Sequence, residues 1–382
     1  MLLLLKQADV YAPEHLGLRD ILIAGTKILR MEERLETPAY AEVIDLGGRR
    51  VAPGYLDMHV HITGGGGEQG PSSRTPEITL SQLTKSGVTT CVGLLGTDGV
   101  TRSLPNLLSK CLALNEEGIT CYMLTGAYGY PGPTFFGDIE ADIMLIERCI
   151  GVKISMADHR SSSPTGEELI KVATSARRGG LLSGKAGIVC IHMGSGPEVL
   201  SRLYYAMENA DLPFTTMIPT HMSRSDELIV SGIPFARQGG FLDFTGSTGA
   251  SARILKALEL GAPERSITLS SDGCGSMPRF DERGECVGLT YSSPIVLHNT
   301  LKDLLEAGLT LEQALPFLTT NPAAALKLPE KGRLQEGADA DLIVYGDDLS
   351  LSGVFAKGQR MVWDGRCIVL GRFEEQEAVL RA

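Results

Sequence analysis

Between residues 51 and 272 the chain repeats one pattern eight times: a short apolar run, then a segment of helical length. The runs span residues 51–61, 88–95, 119–128, 150–156, 187–192, 214–221, 240–245 and 266–272. Helices are expected at 75–86, 105–117, 138–148, 166–178, 197–210, 225–238 and 249–260. Several have capping starts, such as Ser103 ahead of Pro105 and Ser225 ahead of Asp226. Strands that read as continuous apolar runs are buried on both faces, which is the condition of a parallel sheet covered by helices. Eight such repeats over about 220 residues suit a (β/α)8 TIM barrel, usually roughly 250 residues long. An open doubly wound sheet is the competing arrangement. It needs a ligand loop at a switch point, and none is evident.

The two ends of the chain read differently. Short β-like runs at 2–5, 20–24, 27–31 and 43–46 match others at 341–345, 353–357, 359–363 and 366–370, broken by Gly-containing turns. Each end is too small to fold alone. Paired, they make one small β-sandwich. The expected fold is therefore α/β: residues 1–52 and 331–382 in a β-sandwich domain, and residues 53–330 in the barrel.

A net charge of −11 excludes the basic face that nucleic acid requires. The eight cysteines include no Cys-x-x-Cys pair and read as small core residues of a reduced intracellular protein. The opening Met-Leu-Leu-Leu-Leu lacks a basic start and is cut short by Lys6, so it is not a signal peptide. No apolar run approaches the roughly 18 residues of a membrane span. These features predict a soluble cytoplasmic protein without nucleic-acid or membrane partners.

In a barrel of this kind catalysis sits at the C-terminal ends of the strands. Strand 1 ends in His59 and His61, two residues apart and so on one face of a strand. Strand 4 carries Lys153, strand 5 ends in His192, strand 6 in His221 and strand 8 in Asp272. Four of the seven histidines thus fall at strand ends. A single one reads as readily as a core histidine; the set of them does not. Four imidazoles and a carboxylate are too many for one catalytic zinc, which takes three protein ligands and a water, and they suit two metals. Two cations side by side need a bridging anion besides hydroxide. An ammonium beside them would be repelled and its pKa lowered, and a neutral Lys153 amine could combine with CO2 as a carbamate. On the sequence alone, an ordinary lysine near a strand end is the plainer reading.

With His59-x-His61, Lys153, His192, His221 and Asp272 in this order, and 332–344 returning to the β-sandwich, the chain resembles the binuclear-metal branch of the amidohydrolase superfamily. The resemblance covers essentially the whole chain. It implies that Lys153 is carboxylated and bridges two Zn2+ ions held by those six residues. Within the superfamily the loops are similar to those of the isoaspartyl dipeptidases. The similar stretches are Thr63-Gly-Gly-Gly-Gly-Glu-Gln-Gly-Pro71, Gly93-Leu-Leu-Gly-Thr-Asp98, Leu124-Thr-Gly-Ala-Tyr128, Ser155-x-x-Asp-His-Arg160 and Leu269-Ser-Ser-Asp-Gly-x-Gly-Ser276. Met222-Ser223-Arg224 after His221 and Gly129-Tyr130 after Tyr128 depart from the pattern close to substrate-facing positions.

The resemblance implies hydrolysis of β-aspartyl (isoaspartyl) dipeptides by a metal-bridging hydroxide, with Asp272 as general base and acid. Tyr128 would stabilise the oxyanion. Glu68 would hold the substrate ammonium, and Arg160 and Arg224 the carboxylate of the departing residue. Gly66 would contribute backbone in the glycine run 64–67, and Ser276 and Thr97 are weaker binding candidates. His159 reads as a supporting residue; His15 and His298 read as incidental. The resemblance further implies a homo-oligomer, with an octamer among the sizes it suggests. Two alternatives remain at this level. One is a cyclic amidase of the dihydropyrimidinase or hydantoinase kind, which has no use for Glu68 together with two arginines. The other is a non-catalytic scaffold, which loss of ligands would favour.

Overall fold

A computed structural model describes residues 2–281, 283 and 285–374; residue 1 and residues 375–382 of the expected terminal domain lie outside the described residues. Five strands come first: β1 (Leu2–Tyr11), β2 (His15–Ala24), β3 (Lys27–Glu32), β4 (Glu42–Asp45) and β5 (Arg50–Pro53). Eight more follow, the first seven each ahead of a helical segment: β6 (Tyr55–Val60), β7 (Val88–Gly93), β8 (Thr120–Gly126), β9 (Cys149–Met156), β10 (Ile188–Met193), β11 (Met217–Thr220), β12 (Leu242–Thr245) and β13 (Ile267–Ser270). A hairpin of β14 (Ser276–Phe280) and β15 (Cys286–Tyr291) comes next. The last strands are β16 (Leu342–Tyr345), β17 (Leu351–Ala356), β18 (Gln359–Trp363) and β19 (Arg366–Cys367).

Strands β6 to β13 form one parallel sheet in sequence order. Every residue of these strands is buried except Tyr122, because barrel interior and helices cover the two faces. The seam between β6 and β13 is closed differently from the rest. Val60 bridges Gly273, and His61 N donates to Gly273 O at 2.8 Å. The buried carboxylate of Asp57 accepts from Ser271 N at 3.0 Å and from the Ser271 hydroxyl. The architecture is thus the expected TIM-like barrel with a separate sheet made from both termini.

The terminal strands form one sheet of nine, with β16 against β5 joining the two ends of the chain. Its core includes Leu3, Leu5, Ala8 and Val10 of β1. The bulge between Leu5 and Ala8, with Gln7 at φ 53°, shifts the alternation by one residue. Odd positions before it and even positions after it therefore reach the same core. Two polar networks fix this sheet to the barrel. Tyr55 OH lies 3.0 Å from His298 Nδ1 and 2.9 Å from Tyr345 OH. Buried Lys331 donates to Asp341 at 2.6 Å and to Thr120 Oγ1 at 2.7 Å.

Some expected elements differ. The run 51–61 is two strands in two sheets, divided at Gly54, whose N–H turns to Asp341 O at 3.0 Å. The helix expected at 75–86 shrinks to Leu80–Thr84. Arg102 holds the carbonyls of Thr63, Gly65 and Thr75, so this stretch stays irregular until the Thr79–Gln82 capping box. The run 214–221 opens with a 3-10 turn, Phe214–Thr216. The β14–β15 hairpin and the helix Val296–Glu306 are additional. Among the described residues no helix is long and apolar enough to cross a membrane.

Candidate functional site

Of the six residues expected to bind metal, five stand at or just past barrel strand ends and Lys153 lies inside β9, three residues before its end; they face one cavity or the barrel interior beneath it. His59 and His61 leave β6 with their ring centroids 5.5 Å apart. His221 lies beside His59 at 4.9 Å and beside His192 at 4.5 Å. Asp272 Oδ1 is 3.1 Å from His61 Nε2 and 3.4 Å from His59 Nε2. Ligand atoms of His59, His221 and Asp272 all lie within 4.8 Å of one another. Gly96 makes room for this cluster, since a Cβ there would stand 2.8 Å from His61 Cε1. His221 and Asp272 both adopt left-handed backbone, at φ 66° and 53°, where non-glycine residues are strained. In each case the chain leaves its strand abruptly, and the side chain stays at the strand end.

The donor set fits metal ions. His221 Nδ1 is held by Thr245 Oγ1 at 2.7 Å, while its buried Nε2 has no partner. His61 Nδ1 and Asp272 Oδ1 are likewise buried without a hydrogen bond. Burial keeps His59, His192 and His221 well below the ordinary histidine pKa, so each offers a neutral nitrogen lone pair. Lys153 is fully buried, with Nζ 3.4 Å from His59 Nε2 and 3.7 Å from Cys190 Sγ. Among the described residues no carboxylate comes within ion-pair distance of it. Burial lowers its pKa, which favours the neutral amine that a carbamate needs.

His192 differs from the other three. Its Nδ1 lies 2.6 Å from the Tyr128 hydroxyl and its Nε2 2.9 Å from Asp158 Oδ2. Tyr128 is buried beneath Arg160, whose guanidinium stands 5.3 Å from the ring centre. Burial raises the Tyr128 pKa, so the hydroxyl stays protonated and can donate.

The cavity above these groups has a volume of about 810 Å3. Glu68 lies in its wall. It accepts from Ser276 Oγ at 2.8 and 2.9 Å, from Thr97 Oγ1 at 3.4 Å and from Arg160 Nη1 at 3.2 Å. Arg160 also gives Nε and Nη2 to Asp158, both at 2.9 Å, so its bidentate edge is already occupied. Arg224 donates from Nη1 to Met193 O at 2.6 Å and is the less committed of the two. Gly66 lines the cavity with φ 78°, and a Cβ there would stand 2.5 Å from Ser73 O. His159 points outward, 67% exposed, with Nδ1 3.7 Å from Asp158.

Asp158 was not singled out from the sequence. Its side chain is 5% exposed and meets Arg160, Arg224 and His192. Burial alone would raise its pKa, but the bonds from His192 and Arg160 hold it well below the carboxylate range. Its only signal was its place between β9 and Arg160, in a stretch noted for resemblance. Asp243 was also missed. It is buried on β12, bonded to Thr220, Thr268 and Ser270, and burial pushes its pKa up to about 6.

Comparison with known proteins agrees with this geometry. The amidohydrolase family model matches residues 215–361. The β-aspartyl dipeptidase of Fervidobacterium islandicum AW-1, solved with a β-Asp-Leu dipeptide, is 42% identical with a TM-score of 0.92. That match covers 96% of this chain and 97% of the other. Adenine deaminase 2 of Agrobacterium fabrum is 25% identical over 92% of this chain, which spans 54% of that protein's length. Dihydropyrimidinase of Brevibacillus agri NCHU1002 shares the fold, at 17% identity and TM-score 0.61, over 97% of both chains.

Proposed function

We infer the chemistry from one premise: this chain belongs to the amidohydrolase superfamily, within its β-aspartyl dipeptidases, and is a hydrolase. The reaction we assign is hydrolysis of β-aspartyl (isoaspartyl) dipeptides. The observation that carries it is the 42% identity over 96% of the chain to a β-aspartyl dipeptidase, joined to a cavity lined by Glu68, Arg160 and Arg224.

His59, His61, Lys153, His192, His221 and Asp272 would hold two zinc ions, with Lys153 carboxylated on Nζ as the shared ligand. When bound, the metals supply Lewis acidity and lower the pKa of a water toward about 7. The Asp272 carboxylate takes the water's proton as the water adds to the side-chain amide carbon, then returns it to the departing amine. The Tyr128 hydroxyl donates to the oxygen on which negative charge develops. Glu68 accepts from the α-ammonium of the isoaspartyl residue, with Ser276 and Thr97 orienting its carboxylate. Arg224, and Arg160 through its outer edge, donate to the carboxylate of the departing residue. The backbone at Gly66 completes the wall.

Cyclic-amide hydrolysis leaves Glu68 and both arginines without a role, and a scaffold has no need of six intact donors. The experiment is an assay of the purified protein with zinc. Release of aspartate and leucine from β-Asp-Leu, lost with a chelator and restored by zinc, is the expected result. Turnover of dihydrouracil or hydantoin with β-Asp-Leu untouched would overturn the assignment.

A further inference from the structure

We propose that Asp158 is a positioning residue that couples the metal side of the cavity to its carboxylate-binding side. The proposal rests on the dipeptidase reading above. One oxygen, Oδ2, accepts from His192 Nε2 at 2.9 Å and from Arg160 Nη2 at 2.9 Å, and lies 3.6 Å from Arg224 Nη1. The other, Oδ1, accepts from Arg160 Nε and from Arg160 N, both at 2.9 Å. The carboxylate is therefore enclosed by donors from the segment after β9, from the end of β10 and from the turn after β11.

The two consequences are chemical. An ionised carboxylate can only accept, so the shorter of the two contacts at His192 Nε2, 2.9 Å to Asp158 against 3.2 Å to Arg224 Nη1, assigns that ring's proton to Nε2. Its Nδ1 then presents a lone pair toward the cavity, where Tyr128 OH now meets it at 2.6 Å. A carboxylate on the far nitrogen of a metal-binding histidine fixes its tautomer and ring orientation. On the other side, Asp158 grips Arg160 by its fork and leaves Nη1 as the nitrogen that reaches across to Glu68 at 3.2 Å. Without that grip the guanidinium is free to turn, and the distance between ammonium and carboxylate subsites is no longer fixed.

Two substitutions separate the two effects. Asp158→Asn keeps an oxygen that can accept from His192 but loses the charge that binds Arg160. Asp158→Ala loses both. The probe for the metal side is zinc alone, titrated into the metal-free protein against a chelating indicator. The probe for the substrate side is the KM for β-Asp-Leu. Asp158→Ala should weaken zinc binding about 10- to 100-fold. Asp158→Asn should hold zinc within about threefold of the unmodified protein and raise KM roughly tenfold or more, with a smaller change in kcat. Zinc affinity and KM both within threefold of the unmodified values in Asp158→Ala would overturn the proposal. If Asp158→Ala does not fold, an unchanged KM in Asp158→Asn overturns it. Failure of the dipeptidase reading itself appears separately, as no β-Asp-Leu turnover by the unmodified protein.

Discussion

Arg160 donates from Nη1 to Glu68 Oε1 at 3.2 Å, so two residues assigned to opposite ends of a substrate are bonded to each other. On the proposed reading, a dipeptide entering the cavity would exchange this internal pair for two of its own, its ammonium on Glu68 and its carboxylate toward the arginines. Charges left unmatched in such a cleft are costly, so the ion pair also selects against ligands carrying one charge alone. Glu68→Gln should lose about 1.5–3 kcal/mol of charge-assisted bonding. That corresponds to roughly a 10- to 150-fold fall in kcat/KM for β-Asp-Leu. Steady-state kinetics read it directly; an unchanged kcat/KM would remove Glu68 from the ammonium site.

Among the described residues no carboxylate pairs directly with Lys153, and the attraction of Asp272 and Asp243 is outweighed by its burial. Lys153→Ala should therefore lower zinc content and turnover together, and short carboxylates such as acetate or propionate should restore part of the activity. Metal analysis and rates measured with added carboxylate test this. Two zinc ions and full activity in the alanine variant would rule out the carbamate.

Asp272 combines a strained backbone with an oxygen that makes no hydrogen bond. Asp272→Asn keeps its size and removes its basicity. General acid–base catalysis contributes roughly 10²–10⁴ in rate, so kcat should fall by that order while β-Asp-Leu still binds. A pH–rate profile matching that of the unmodified protein would assign the proton transfer elsewhere.

His298 gives a stability prediction independent of catalysis. Burial pushes its pKa down to about 4, against an ordinary 6.5, while it is hydrogen-bonded to Tyr55. The folded state therefore resists protonation that the unfolded state accepts. Stability is fully present above pH 6.5 and is lost as pH falls from there to 4, by at most about 3 kcal/mol. Urea midpoints at pH 7 and pH 4.5 should differ less in His298→Gln than in the unmodified protein. An equal difference in the two would place the acid sensitivity in other groups.

The barrel was legible because strands buried on both faces leave continuous apolar runs, and a run survives errors of a residue or two at its ends. The division at Gly54 was not, since strands of two different sheets meet there without any change in composition. The β14–β15 hairpin was missed because Val287, Leu289 and Tyr291 are exposed, so no buried run marks it. The strand-end histidines stood out because histidine is scarce and its spacing along strands has a geometric meaning. Asp158, Asp57 and Asp243 did not. Acids are common in the chain, and what distinguishes these three is the donors that enclose them, drawn from strands far apart in sequence.

On the proposed reading, the cavity measures the distance between charged ends around a side-chain amide. β-Asp-Leu and α-Asp-Leu carry the same charges and differ in where the scissile bond lies between them. The direct measurement is kcat/KM for both dipeptides with the zinc-loaded, unmodified protein. A strong preference for the β linkage, narrowed in Glu68→Gln, is the predicted result. Equal values for the two linkages would contradict it, leaving an amidohydrolase whose substrate is something else.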